Sequence, residues 1–261
     1  MNYNFSEDLK SIREILGLSQ SEFASQLGVE RVTVSRNELG KTKPSSNFLE
    51  SVYSYAVDKK IKINKLKEML WRDDLGTNAK LLFHGAKSEI NGEIDVHYGR
   101  QNNDFGQGFY LTTSKEQEES FLRTSIAKAI ATGTIEEGQK FGYISTFEFK
   151  LSENLETHIF ENADVDWLHC IAAHRKKKMF IEVEREMAKY DIIAGKIADD
   201  ATNATLTAYL AGAFGTAGDK VADDFCIRQL LPNKLKDQYC FKTEAAIECL
   251  KFVKGEKIWL K

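Results

Sequence analysis

Three glycines divide residues 7–57 into short segments with helical periodicity, and this spacing strongly restricts how the N-terminal part of the chain can fold. They are Gly17, Gly28 and Gly40. Glycine commonly ends a helix because it adopts the left-handed conformation at no steric cost. The pattern predicts a run of short helices joined by tight turns.

The apolar and capping residues of these segments support that prediction. The first segment, SEDLKSIREIL, places four apolar side chains on one face at helical spacing: Leu9, Ile12, Ile15 and Leu16. In the second segment, Ser19 is a natural N-cap, and Glu22 three residues later completes a capping box. Phe23, Ala24 and Leu27 would face inward, and a second short helix would follow the turn at Gly28.

The stretch LSQSEFASQLGVERVTVSRNELGKTKPS resembles the Cro/repressor-like helix-turn-helix family of the xenobiotic-response-element class. The resemblance covers roughly residues 7–57 and implies that a helix at Glu30–Leu39 enters the major groove of DNA. It implies that Arg31, Thr33 and Arg36 read the DNA bases. Gln20 and Lys41 would contact the DNA backbone. Asn37 departs from the pattern, because the family commonly packs an aromatic behind this helix.

A dimerisation or docking module is the alternative interpretation of this region. The chain up to Gly76 carries 12 Lys and Arg against 11 Asp and Glu, a net charge of +1. Neutralisation of phosphates supplies much of the affinity for DNA, so this charge is weak support for tight binding. DNA binding is nevertheless the interpretation that the motif favours.

The sequence pattern changes near Gly76, and we expect two domains, residues 1–76 and residues 77–261. Residues 58–76 read as a closing amphipathic helix and a short hinge. The second part carries 24 basic against 28 acidic residues, so any DNA contact would come from the first part. With 42% apolar and 29% charged residues overall, the composition is that of an ordinary globular protein.

Targeting signals and cysteine usage predict a cytoplasmic protein. The N-terminus MNYNFSEDLK lacks the basic and apolar pattern of a signal peptide. No stretch approaches the roughly 18 consecutive apolar residues of a membrane helix. The four cysteines are scattered without a CxxC pair, which indicates reduced core thiols: Cys170, Cys226, Cys240 and Cys249.

The second part mixes strand and helix signals at irregular intervals. KLLFHGAK reads as a strand that ends at His84 and Gly85, and DFGQGFYLTT delivers Tyr110 into another strand. A helix with Phe121, Ile126 and Ile130 among its buried positions follows. Later segments alternate between the two periodicities up to a short final strand, KIWLK. This mixture favours an α+β fold over a doubly wound parallel sheet.

The stretch DFGQGFYLTT, residues 104–113, indicates a site for a flat ligand. It is no dinucleotide-binding glycine loop, since such a loop needs strand, glycines and helix in that order. An aromatic approached by Gly106 and Gly108 offers a ring to stack on and a backbone that a ligand can approach. The His84–Gly85 pair could add a hydrogen bond to a ribose hydroxyl and one to an amide, as nicotinamide riboside requires.

These motifs resemble the ADP-ribosyltransferase fold of the diphtheria-toxin and poly(ADP-ribose) polymerase type. FHG at 83–85 looks like the family's first-strand histidine, and DFGQGFYLTT like its glycine and tyrosine strand. The family's second stacking aromatic lies eleven residues after the tyrosine, which is Phe121 here. DQYCFKT has the shape of the late strand, with Gln238 in place of the usual glutamate. Residues 80–253 resemble in particular an uncharacterised bacterial branch often found beside toxin–antitoxin genes.

The resemblance implies a split β-sheet with helical insertions, NAD as the substrate, and a role for each matched residue. Tyr110 and Phe121 would sandwich nicotinamide and Gly85 would hold its carboxamide. His84 and Gln238 would bind ribose hydroxyls, so His84, Tyr110 and Gln238 form the expected catalytic set. Gly106, Gly108 and Phe109 complete the expected NAD site.

The missing glutamate favours transfer of a single ADP-ribose unit over polymer formation, because a glutamine is no base for a sugar hydroxyl. The fusion to a helix-turn-helix suggests a toxin or phage-defence effector, with a macromolecular acceptor and an antitoxin as partners. Two alternatives stay open: a transcriptional regulator that senses NAD without reacting, and a hydrolase that depletes NAD. Each motif residue also has a plain structural interpretation, His84 as a strand-end histidine and Tyr110 as core.

Other polar residues have competing interpretations. His169 and His174 lie five apart and predict no zinc site. Asp191 and the pair Asp199–Asp200 could assist catalysis or only cap helices and turns, and Asp104 could only cap a turn. The run RKKK at 175–178 reads as a solvated helix end, or as a contact to nucleic acid or to the phosphates of NAD.

Overall fold

The computed structural model divides the chain into two compact units, Met1–Gly76 and Thr77–Lys261. Each unit is described by itself. The described residues are 4–63, 68, 69, 72, 75, 79–90, 93–135, 141–176, 178–198, 200–231 and 235–259. The closing helix predicted for residues 58–76 therefore lies largely outside the described residues.

The first unit is helical. Its helices are α1 (Phe5–Ile15), α2 (Gln20–Leu27), α3 (Arg31–Glu38) and α4 (Ser46–Asp58). The predicted capping box is present: the Ser19 hydroxyl accepts from the Glu22 amide at 3.2 Å, and the Ser19 amide donates to the Glu22 carboxylate at 2.7 Å. Gly28 ends α2 with φ of +66°, a conformation that disfavours other residues.

The core of the first unit joins all four helices. Leu9, Ile12, Phe23, Val34 and Val52 are completely buried within it. The expectation for Ile15 was wrong, because its side chain is 47% exposed. A residue six positions after Leu9 is rotated well away from it at 3.6 residues per turn, so the two cannot share a narrow face.

The second unit is built on one seven-stranded sheet. The strands are β1 (Lys80–Ala86), β2 (Phe109–Thr112), β3 (Phe141–Phe149), β4 (Thr157–Ile159), β5 (Ile192–Lys196), β6 (Asp237–Phe241) and β7 (Leu250–Trp259). Their spatial order is β4-β5-β6-β2-β1-β3-β7. Neighbours are antiparallel except β4 and β5, so this domain has the predicted α+β character.

Helices occupy the connections of the sheet. They are α5 (Lys115–Ala131), α6 (Val165–Arg175), α7 (Ile181–Met187), α8 (Asp200–Leu210), α9 (Lys220–Leu230) and α10 (Glu244–Ile247). None of the helices in the described part of the chain has both the length and the apolar character needed to cross a bilayer.

The second unit has two apolar cores. Successive side chains of β2 and β6 point to opposite faces of the sheet, so each of these strands contributes to both cores. Trp167 and Tyr209 belong to the first core, which packs α6, α8 and α9 against the sheet and includes Cys240 of β6. The second core is rich in aromatics and includes Phe109 of β2 and Phe241 of β6. Tyr110, between Phe109 and Leu111, packs against the first core.

The sheet opens between its two middle strands. β1 pairs with β3 at seven positions, from Lys80 to Ala86, but with β2 at one, Phe83 opposite Thr112. β2 in turn pairs along its whole length with β6. Beyond Phe83 the end of β1 and the start of β2 therefore separate, and a cleft lies between them.

The C-terminal strand is longer than the sequence pattern predicts. Residues on both sides of Gly255 form one ten-residue strand, β7, where the final strand was expected to be short. β7 pairs with β3 from Leu250 opposite Phe149 to Trp259 opposite Phe141. The strand lies at the edge of the sheet and is mostly exposed, which removes the apolar alternation that usually signals a strand.

Candidate functional site

A cavity of about 1110 Å³ occupies the opening between β1 and β2. Seven of the eight residues predicted for the NAD site line it: His84, Gly85, Gly108, Phe109, Tyr110, Phe121 and Gln238. They come from β1, β2, α5, β6 and the turn before β2. The fold therefore brings together residues that lie up to 154 positions apart in the sequence.

His84 bridges the opening of the sheet. Its Nδ1 donates to the carbonyl oxygen of Tyr110 at 2.7 Å, and its ring lies 4.5 Å from that of Phe109. Burial lowers the pKa of His84, and the bond to Tyr110 offsets this only in part. A neutral ring with its proton on Nδ1 leaves Nε2 as a hydrogen-bond acceptor. His84 can therefore accept a bond from a ligand hydroxyl.

Gly85 presents its amide to the cavity, where Glu118 of α5 accepts from it. The distance from Gly85 N to Glu118 Oε1 is 2.6 Å. Burial raises the pKa of Glu118 to about 7, although the bond from Gly85 acts in the opposite direction. Ligand binding to the Gly85 amide would have to displace this carboxyl group.

Tyr110 uses its hydroxyl to hold the preceding turn. The hydroxyl donates to Gly106 O at 2.7 Å and accepts from Phe105 N at 2.9 Å. Burial raises the pKa of Tyr110 well above its ordinary value, so the group stays neutral. Tyr110 lines the cavity, while its hydroxyl fixes the turn.

The two glycines of DFGQGFYLTT have different roles. Gly106 does not line the cavity, and its φ of +85° places it beneath His174, whose ring a Cβ would approach to 2.8 Å. Gly106 thus shapes the turn, contrary to its predicted contact with a ligand. Gly108 lines the cavity and lies against β6: a Cβ there would be 2.6 Å from Cys240 Sγ and 2.7 Å from Phe241 O.

Phe121 lies on α5 and is 58% exposed, a large exposure for an aromatic side chain at a cavity. Its ring makes no ring contact with Tyr110, although both line the same space. An apolar ring with free surface beside a cavity is suited to stack on a planar ligand.

Gln238 belongs to a buried polar network that the sequence did not reveal. Its Nε2 donates to Asp104 Oδ2 at 2.8 Å, and its side chain is 6% exposed. Arg175 donates to Asp104 Oδ1 from Nε at 3.0 Å and from Nη2 at 2.6 Å. The Ala198 amide donates to Asp104 Oδ2 at 3.0 Å. A carboxylate only accepts, so this network orients the amide of Gln238 and leaves its Oε1 for the cavity.

Asp104, Glu118 and Arg175 line the cavity, and the predicted NAD site included none of them. Asp104 does more than cap a turn, and Arg175 is paired, contrary to the expected solvated run at 175–178. Lys176 is also bound, to Leu210 O at 2.6 Å, and Lys177 lies outside the described residues. The position of Asp104 at the start of DFGQGFYLTT was the one local signal.

Asp191, His169 and His174 do not line the cavity. Asp191 accepts from Thr243 Oγ1 at 2.8 Å and from Glu156 N at 3.0 Å, which is a structural role. Asp199 lies outside the described residues, as does the side chain of Asp200. His169 donates to Asp223 at 2.8 Å and His174 to Cys170 O at 2.8 Å. Among the described residues, no cluster of His, Cys, Asp and Glu could hold a metal ion.

In the first unit, Glu38 fixes α3 relative to α1 and α2. It accepts from Arg13 Nε at 2.6 Å and from Gln20 Nε2 at 2.7 Å. The Glu38 side chain is nearly buried, so this pair is shielded from solvent and salt. Gln20, predicted to contact the DNA backbone, thus has a structural partner within the unit.

The predicted DNA readers lie on or beside α3. Arg31, Arg36 and Lys41 are exposed, and Thr33 is half-buried. Asn37 is buried: its Nδ2 donates to Thr33 O at 2.9 Å, and its Oδ1 has no hydrogen-bond partner in the described part of the chain. An unpaired buried carbonyl costs about 1–3 kcal/mol, so the departure at this position weakens the unit.

Comparison with known protein families assigns both parts of the chain. Residues 9–52 match the helix-turn-helix family, and residues 81–252 match a family described as protein of unknown function (DUF3990). No curated protein and no solved structure matches the chain. The second family match spans more than half of the 261 residues. The chain therefore belongs to the family described as protein of unknown function (DUF3990), and it carries a helix-turn-helix in its N-terminal unit.

Proposed function

We propose that the second unit is an ADP-ribosyltransferase that uses NAD to modify a macromolecule with single ADP-ribose units. One observation carries the proposal: the histidine–glycine pair, both predicted stacking aromatics and Gln238 line the same cavity. The spacing of eleven residues between Tyr110 and Phe121 was predicted independently of that cavity. The volume of about 1110 Å³ slightly exceeds the roughly 300–1,000 Å³ of ordinary small-molecule sites, as a dinucleotide requires.

The contacts of the cavity suit nicotinamide riboside. The rings of Tyr110 and Phe121 offer apolar surface for the nicotinamide ring. Nε2 of His84 would accept a ribose hydroxyl, because Nδ1 is already committed to Tyr110 O. Oε1 of Gln238 would accept another, because its Nε2 is committed to Asp104.

The reaction would break the bond between the ribose anomeric carbon and the nicotinamide nitrogen. Nicotinamide leaves with the bonding electron pair, and a nucleophile of the acceptor attacks the anomeric carbon and loses its proton. The transition state resembles an oxocarbenium ion. Gln238 stabilises that charge less than a carboxylate would, and loss of one oriented group can cost on the order of 100-fold in rate. Without a base at 238, transfer of one unit is favoured over polymer growth.

Incubation of the full chain with NAD tests the proposal. NAD labelled on the adenylate and, separately, on nicotinamide is supplied with and without bacterial extract. We expect nicotinamide release together with label on protein or nucleic acid that appears only with extract. Absence of both products, with NAD intact, would contradict transferase activity.

Phe121→Ala gives a sharp variant for this assay, because an exposed ring can be removed with little loss of stability. We expect turnover to fall roughly 5- to 150-fold through loss of stacking, which is worth roughly 1–3 kcal/mol per base in comparable sites. Phe252→Ala is the matched control: its ring is 50% exposed and lies outside the cavity lining. Equal activity of both variants and the wild type would argue against nicotinamide binding here.

A regulator that senses NAD without reacting is the second candidate function. Gln238 at the position of the expected carboxylate favours it, and so does the helix-turn-helix. Saturable NAD binding without nicotinamide release would support this sensor. Release of nicotinamide without label on any acceptor would instead support an NAD hydrolase. If the domain is a transferase or a hydrolase, we propose that it acts as a toxin or phage-defence effector with an antitoxin as partner. The sensor would have no such role.

The helix-turn-helix suggests a regulatory role in DNA binding, and we propose Arg31 and Arg36 as readers of the major groove. Arg36→Ala is expected to weaken specific DNA binding by roughly 5- to 150-fold, the equivalent of about 1–3 kcal/mol for one base contact. Fluorescence anisotropy with DNA from upstream of the gene measures the effect.

Lys10→Ala is the charge-matched control for this measurement. Lys10 is an exposed residue of α1 whose partner at 3.9 Å is Glu14 on the same helix. Loss of one positive charge there should change binding little. If both variants bind as the wild type does, α3 does not read DNA in the proposed manner.

A further inference from the structure

Glu118 is a half-buried residue that lines the cavity, and none of the predicted roles includes it. It extends from α5, and its Oε1 accepts a hydrogen bond from the Gly85 amide nitrogen at 2.6 Å. The absence of a side chain at position 85 makes this contact possible, since a Cβ there would lie 2.9 Å from Glu118 Oε1 and 3.1 Å from its Cγ. The pair thus forms one donor and one acceptor, side by side, on the wall of the cavity.

No cation neutralises Glu118 in the described part of the chain. Lys115, on the same helix, is bound to Glu256 at 2.6 Å, and Arg175 is bound to Asp104 at 2.6 Å. Two other titratable residues lie near this contact: His84, which precedes Gly85 on β1, and Tyr110 on β2. Burial favours the neutral form of both. The negative charge of an ionised Glu118 is therefore not balanced by a cation among these residues.

We propose that Glu118 and the Gly85 amide together select a primary carboxamide over a carboxylate at the head of the bound dinucleotide. This inference rests on the proposed function and names the chemistry of its substrate. The carbonyl oxygen of a carboxamide accepts from the Gly85 amide, and its NH₂ group donates to Glu118. A carboxylate offers acceptors only, so it would meet the Glu118 carboxylate with no proton between them.

Binding requires a local exchange of hydrogen bonds. Oε1 of Glu118 leaves the Gly85 amide, the ligand carbonyl oxygen takes its place, and the carboxylate then accepts from the ligand NH₂ group. The Glu118 side chain is long and rotatable, so it can move without displacing α5. After the exchange the Gly85 amide donates to the ligand carbonyl oxygen, and the Glu118 carboxylate accepts from the ligand NH₂ group. Neither group is therefore left without a hydrogen-bond partner.

The charge of Glu118 makes the selection depend on pH. Its pKa is raised to about 7 by burial, so the carboxyl group is largely neutral at pH 6 and largely ionised at pH 8. A neutral carboxyl group can donate to a ligand carboxylate and relieves the repulsion. Discrimination should consequently increase as pH rises through 7. Burial lowers the pKa of His84, so the charged form of this ring is disfavoured in the same interval.

The test measures binding of NAD and of nicotinic acid adenine dinucleotide to the full chain by calorimetry at pH 6 and pH 8. For the wild type at pH 8, we expect NAD to bind at least about 10-fold more tightly, with a smaller ratio at pH 6. Glu118→Gln keeps the acceptor for Gly85 and adds a donor, so it should bind both dinucleotides within about threefold of each other at either pH. Thermal melting of this variant verifies that it folds.

Failure of this inference and failure of the proposed function give different results. If the wild type binds both dinucleotides equally, or if Glu118→Gln still discriminates, Glu118 is not the selector, while NAD binding stands. If the wild type binds neither dinucleotide, the proposed function and the inference both fall. Tighter binding of the nicotinic acid form at pH 8 would overturn the inference outright.

Discussion

Asp104→Ala is expected to lower the free energy of unfolding of the second unit by about 3–5 kcal/mol, since it leaves the charge of Arg175, whose side chain is only 18% exposed, without its carboxylate partner. It also removes the acceptor for Gln238 Nε2 and for the Ala198 amide. Urea unfolding followed by circular dichroism measures the loss.

Two further variants separate the ion pair from a general effect of the substitution. Asp95→Ala is the control, because Asp95 is an exposed residue of the same loop region whose carboxylate accepts from His97 N of the same turn. Its cost should stay below about 1 kcal/mol. Adding Arg175→Met to Asp104→Ala should recover part of the loss, since no unpaired charge then remains. A double variant less stable than Asp104→Ala would contradict this account.

Gly108→Ala is expected to destabilise the second unit by about 3 kcal/mol, because β2 cannot move away from β6 without breaking backbone pairing. The new Cβ would lie 2.7 Å from the carbonyl oxygen of Phe241, an atom of the sheet itself, and 2.6 Å from Cys240 Sγ. Gly108 also lines the cavity, so NAD binding should be lost as well.

Gly85→Ala is the informative comparison for this prediction. The three nearest atoms to its added Cβ all belong to the Glu118 side chain, which can rotate away. Its loss of stability should therefore stay below about 1 kcal/mol, although the cavity wall is altered. Differential scanning calorimetry of both variants distinguishes the two cases. Equal losses would show that contact with the sheet backbone is not the deciding factor at Gly108.

The parts of the fold that follow from local chemistry could be predicted from the sequence. The Ser19–Glu22 capping box and the turn at Gly28 depend on residues within a few positions of each other. The helix that carries Phe121 was predicted as well, but its buried face was predicted only in part: Ile126 is buried, whereas Phe121 is exposed. The position of Phe121 relative to Tyr110 needed a family pattern, but it still involves one strand and the helix that follows it.

The interactions that complete the site could not be predicted in this way. Asp104 and Arg175 lie 71 positions apart, and Gly85 and Glu118 lie 33 apart. Nothing in the local pattern distinguishes Arg175 from the lysines that follow it, or Glu118 from the other acidic residues of α5. Which of these charged side chains become buried depends on the three-dimensional packing around the sheet.

The contacts of Glu38 stabilise the first unit without involving the outward side chains on and beside α3. Arg13 and Gln20 hold α3 in place through Glu38, while Arg31, Arg36 and Lys41 are exposed and take no part in those bonds. Substitutions at these three outward positions leave the scaffold intact. The frame formed by α1, α2 and α3 therefore tolerates exchange of the side chains that it presents to solvent.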